Sequence, residues 1–126
     1  MTFVLLFIST YTMAFANYRD GQLDKYKVTG KCKVEQDNAY AETVLEWNGN
    51  VTIDARYTYV NLTTLRKETI SKGDSHHNRV GVSFSAPTNC LSIRIDARHY
   101  ATAVGQTWES TTSDQSRMPD NLSHIQ

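Results

Sequence analysis

The fold this sequence predicts is all-β: a small six-stranded antiparallel β-sandwich with one disulfide. Three observations predict it. Apolar and polar residues alternate with a period of two over several short stretches. Clusters of Asn, Asp, Gly and Pro separate those stretches at roughly the eight- to twelve-residue spacing of sandwich turns. After residue 16, no stretch sustains the period of an amphipathic helix.

Residues 25–35 show the alternation most clearly. Tyr26, Val28, Cys32 and Val34 share one parity with Gly30 between them, and Lys25, Lys27, Thr29, Lys31, Lys33 and Glu35 share the other. One face of this strand is apolar and the other nearly all charge, as expected of a strand buried on one side. Gln36-Asp37-Asn38 reads as a turn. In a second strand Ala41, Thr43, Leu45 and Trp47 alternate with Glu42, Val44, Glu46 and Asn48, so that its inward parity ends on the tryptophan.

Asn48-Gly49-Asn50 predicts a tight hairpin, because Asn and Gly tolerate positive φ. It leads into a third strand, where Val51, Ile53, Ala55, Tyr57 and Tyr59 alternate with Thr52, Asp54, Arg56 and Thr58. The periodicity fades from Asn61 to Asn78. Residues 63–70 read either as an extension of the third strand or as a short separate one, and residues 71–78 as loop. Val80, Val82 and Phe84 mark a fourth strand. Pro87-Thr88-Asn89 turns the chain into a fifth, which Cys90 opens and in which Leu91, Ile93, Ile95 and Ala97 share the inner parity. A weaker sixth strand runs from Tyr100 to Val104 or Trp108. The segment Ile53-Asp54-Ala55-Arg56-Tyr57 is echoed by Ile95-Asp96-Ala97-Arg98-His99-Tyr100, which reads as similar strand chemistry and not as a structural repeat.

At the N-terminus, a short apolar run from Phe3 to Ile8 followed by Ala14-Phe15-Ala16 matches the small-x-small rule for leader cleavage. The run is far shorter than the ~20 apolar residues of a membrane span. The expected organisation is a signal peptide at 1–16, a polar lead-in at 17–24, one sandwich domain at 25–108 and a disordered polar tail at 109–126. A secreted monomer is expected. The 13 basic and 13 acidic side chains cancel, which argues against nucleic-acid or membrane-surface binding driven by a basic surplus. The lysine face of the first strand reads as a solvated surface. An even cysteine count in a secreted chain predicts that Cys32 and Cys90 are joined. Closing a loop of roughly 60 residues would stabilise the fold by about 4 kcal/mol on the chain-entropy model.

No catalytic, metal or cofactor site is predicted. Adjacent His76 and His77 with Asp74 lack the spacing of a zinc site and read as a solvated loop. Asp54, Asp96, Glu42 and Glu46 offer carboxylate pairs of the kind glycoside hydrolysis uses. Arg56 and Arg98 share the predicted faces of Asp54 and Asp96, so surface ion pairing is the more economical account. Three N-glycosylation sequons begin at Asn50, Asn61 and Asn121.

The leader, the small all-β domain, and a cysteine on the first strand matched by another opening the fifth resemble the MAX effectors. These are the Magnaporthe avirulence and ToxB-like proteins secreted by plant-pathogenic fungi. Cys32, Ala41, Val44-Leu45, Thr52-Ile53, Ala55-Arg56 and Asn89-Cys90 carry the resemblance, which covers roughly Gly30 to Asp96. The long Asn61 to Asn78 segment and the polar tail depart from the family pattern. The resemblance implies a sandwich of two three-stranded sheets, no enzymatic activity and no cofactor, and action on a host protein in the apoplast or host cytoplasm. In some members the edge of the second strand pairs with a heavy-metal-associated domain. Mapped here, that mode implies a partner-binding site at Glu42, Val44, Glu46 and Trp47, with Arg56 as a polar contact.

Two other readings compete. Cys32, Trp47 and Cys90 have a spacing tolerable for an immunoglobulin-like domain, although Thr88 stands where that fold has a tyrosine; a transthyretin-like or carboxypeptidase-regulatory-like module is a further sandwich. A small secreted hydrolase or nuclease would require His76, His77 or His99 to converge with a carboxylate in a cleft.

Overall fold

A computed structural model describes residues 17–116, among which no helix occurs. The eight strands are β1 (Tyr18–Leu23), β2 (Tyr26–Val34), β3 (Asn38–Leu45), β4 (Asn50–Asn61), β5 (Lys67–His77), β6 (Arg79–Ser85), β7 (Cys90–Ala103) and β8 (Gln106–Gln115). They form two four-stranded antiparallel sheets, ordered β1-β2-β3-β6 and β5-β4-β7-β8. The inner faces pack on each other. Val28, Cys32, Val34, Ala41, Leu45, Val80 and Phe84 come from the first sheet, and Val51, Ile53, Ala55, Tyr57, Ile95, Ala97 and Ala101 from the second. The expected all-β sandwich is therefore present, but with eight strands, not six.

The parity of β2 is as the sequence predicts, with Val28, Gly30, Cys32 and Val34 buried and the lysines outward. Gly30 marks a close approach. A Cβ there would stand 2.5 Å from Cγ of His99, so the imidazole lies flat against the β2 backbone. His99 is fully buried, with Nδ1 2.8 Å from the Thr43 hydroxyl and Nε2 2.7 Å from that of Thr112. One bond reaches each sheet, and threonine hydroxyls can donate or accept as the neutral ring requires. Burial pushes the His99 pKa down to about 4, so the ring is neutral at physiological pH.

Several expectations are corrected. Residues 71–78 are not loop: β5 runs through Lys67–His77 and pairs along β4. It is an edge strand exposed at every residue but Ile70, so it shows no apolar alternation. The lead-in and the start of the tail are also strands, β1 and β8, so the sheets extend beyond both ends of the domain expected at 25–108. Only Thr112 of β8 is buried, so its sequence has the polar composition of a tail. Asn48-Gly49-Asn50 does not close a hairpin, because β3 and β4 belong to different sheets and the turn carries the chain between them. In β7 a bulge opposite Thr58 and Tyr59 shifts the register. It turns Ser92 inward, where its hydroxyl meets that of Tyr57 at 2.7 Å, and leaves Leu91 only half-buried. Trp47 lies past the end of β3, 48% exposed, stacked on Tyr26 at 4.4 Å.

The disulfide is absent: Cys32 and Cys90 are buried free thiols. Cys32 lies beside the Thr112 hydroxyl, and Thr112 pairs with Ala97. Cys90 opens β7 seven residues before Ala97, roughly 20 Å away at the rise of a strand. A bridge requires Cα atoms within about 7 Å.

The strand order also decides among sandwiches. An immunoglobulin domain orders its sheets A-B-E-D and C-F-G around a buried tryptophan and a disulfide. Here β3 lies between β2 and β6, and Trp47 is exposed. Two three-stranded sheets, as the effector resemblance implies, are not what forms.

The leader at 1–16, the third sequon at Asn121 and the end of the expected tail lie outside the described residues.

Candidate functional site

The residues expected to contact a partner do not form one cluster. β3 is an interior strand, its backbone paired with β2 on one side and β6 on the other. Strand addition along β3, from Glu42 to Leu45, is therefore closed, since edge pairing needs unpaired N–H and C=O groups. Glu42 and Val44 do project from the outer face of the β1-β2-β3-β6 sheet. Glu46 and Trp47 sit at the end of that sheet, where the Glu46 N–H donates to the Lys27 carbonyl at 2.9 Å. Arg56 is on the outer face of the opposite sheet.

Glu42 is the centre of its face. Its carboxylate receives Lys31 Nζ at 3.4 Å and Arg79 Nη1 at 3.2 Å, and its side chain is only 19% exposed. In cross-strand register, Tyr18, Lys31, Glu42 and Gly81 form one row, and Asp20, Thr29, Val44 and Arg79 the next. Tyr40 faces Lys33 and Ser83 on the other side of the Glu42 row. Tyr18 and Tyr40 are 48% and 37% exposed. This face thus presents two tyrosines, Val44 and an ion-paired Lys–Glu–Arg cluster that spans the two rows. Tyr40 shares the parity of Glu42 and Val44, which is the signal that would have found it. Tyr18 carries no such signal, because β1 buries only Leu23 and shows no apolar alternation.

The outer face of the β5-β4-β7-β8 sheet carries a groove of about 610 Å³ lined by Asp54, Arg56, Asp96 and Arg98 with serines and threonines of β5 and β8. The echoed segments explain it. They pair antiparallel about Ala55 and Ala97, so that Asp54 faces Arg98 and Arg56 faces Asp96. Asp96 is held by Arg94 Nε at 2.9 and 3.0 Å and by the Ser113 hydroxyl at 2.7 Å. The pairing expected of Asp96 exists, but its partner is Arg94. Asp54, Arg56 and Arg98 form no ion pair among the described residues.

The histidines do not converge. His99 is sealed in the core, and His76 and His77 project to opposite sides of β5. His76 contacts Asp74 at 3.1 Å, and His77 bonds to Asn48. Among the described residues, no group of three or more His, Cys, Asp or Glu side chains is placed to hold a metal ion. Of the sequons, Asn50 is exposed at the start of β4, while the Asn61 side-chain oxygen Oδ1 accepts the N–H groups of Thr63 and Thr64 at 2.8 and 3.1 Å.

Comparison with known proteins returned no matching family model, no matching curated protein and no matching solved structure.

Proposed function

We propose that the chain is a secreted, non-enzymatic module that binds another protein, as in the effector class its sequence resembles, through the outer face of the β1-β2-β3-β6 sheet. The observation that carries this reading is the grouping of Tyr18, Tyr40 and Val44 around the ion-paired Lys31–Glu42–Arg79 cluster. Tyrosine and arginine are enriched where proteins bind each other, and a few such side chains carry most of the affinity. The ion pairs hold their long side chains in place before contact, which lowers the ordering cost of binding. The mode of contact is a sheet face, since the β3 edge is occupied.

Capture from plant-tissue extract tests the proposal. The immobilised wild-type protein retains a partner that the Tyr40→Ser/Arg79→Glu variant does not. Equal retention by a folded variant removes this face from consideration.

A further inference from the structure

The groove on the opposite face is a separate site. We propose that it binds an oligosaccharide bearing carboxylate groups. Its volume of about 610 Å³ lies within the roughly 300–1,000 Å³ typical of small-ligand sites. None of the exposed large apolar side chains, which are Tyr18, Tyr40, Trp47, Leu65 and Val104, lines it. A protein interface would lack aromatic anchors there.

The lining has a definite charge pattern. Asp96 is already neutralised by Arg94 and bonded to Ser113. Lys72 is turned away, donating to the Ser83 carbonyl at 2.6 Å with its ammonium over Phe84. Arg56, Arg98 and Asp54 remain uncommitted, a surplus of one positive charge. The two arginines stand diagonally across adjacent strands, about 7–8 Å apart at their bases. Each guanidinium can take a carboxylate with two parallel bonds. Asp54 accepts from a hydroxyl, and Ser71 and Thr111 can donate or accept. Gly73 leaves room for the Asp54 carboxylate: a Cβ there would stand 2.5 Å from Asp54 Oδ1.

A simple anion would gain the arginines but meet Asp54, a polycation would meet the arginines, and a neutral glycan would offer both guanidinium forks hydroxyl acceptors but no charge to match the surplus. A chain that alternates carboxylates with hydroxyls satisfies all three groups.

Calorimetry and NMR with hexagalacturonate, cellohexaose and a chitosan hexamer test the inference. Hexagalacturonate is expected to bind, to shift the side-chain Nε–H resonances of Arg56 and Arg98, and to lose at least tenfold in affinity in the folded Arg56→Gln/Arg98→Gln variant. No binding of hexagalacturonate, equal binding of cellohexaose or chitosan, or unmoved arginine resonances overturns it. None of these outcomes bears on the tyrosine face, which is tested by protein capture.

Discussion

The imidazole of His99 lies against the backbone of Gly30, with 2.5 Å between its Cγ and the point where a Cβ would stand. Any side chain on Gly30 must displace a ring that is bonded to Thr43 and Thr112 on either side. Gly30→Ala is therefore expected to destabilise the protein by about 3 kcal/mol, combining overpacking with strained buried hydrogen bonds. Urea denaturation of Gly30→Ala, His99→Ala and the double variant checks this. The double variant should be markedly more stable than additivity predicts.

The same histidine makes stability depend on pH. Its pKa falls from 6.5 to about 4 in the fold because burial disfavours the charged ring. Between those values the unfolded chain binds the proton and the folded chain does not. The contribution is complete above about pH 6.5 and is lost as pH falls toward 4, by on the order of 3 kcal/mol. Denaturation from pH 7.5 to 4.5 should show this slope in the wild type and a shallower one in His99→Gln.

Because Cys32 and Cys90 are buried and unbonded, a reductant should leave the Tm unchanged. Denatured protein should accept two alkyl groups without prior reduction. Burial pushes the Cys32 thiol up to about 11, so alkylation at Cys32 in the folded protein should be slow. A bridge would instead show a loss of about 4 kcal/mol on reduction.

A chain ending at Trp108 should fail to fold as the full chain does. It would lack Thr112, which bonds His99, and Asp114, which accepts the Val34 N–H at 2.8 Å. Circular dichroism of the shortened chain checks this. Native-like unfolding would mean that the second half of β8 contributes little.

What was legible in the sequence follows from which residues face the core. Val28, Cys32 and Val34, like Val51, Ile53 and Tyr57, bury one face and expose the other, so β2 and β4 could be read directly. β5 and β8 lie at sheet edges and bury one threonine between them. Backbone pairing holds them, and side-chain periodicity does not report that. The Asn48-Gly49 turn was recognised as a turn, but no local residue tells a hairpin from a crossing between sheets. Glu42 and Val44 were found as neighbours on one face. Arg56 lies on the sheet opposite Glu42 and Val44; an alternating pattern gives a strand's parity but not its sheet. The echo of Ile53–Arg56 in Ile95–Arg98 was visible, and only the antiparallel register shows that it builds a groove.

The most direct test of the binding-module account is the affinity of the captured partner for two folded variants, one on each face. Tyr18→Ser/Tyr40→Ser should weaken binding by tenfold or more, as loss of interface anchors does, while Arg56→Gln/Arg98→Gln leaves it unchanged. Unchanged affinity in the tyrosine variant, or a loss confined to the arginine variant, would contradict the account.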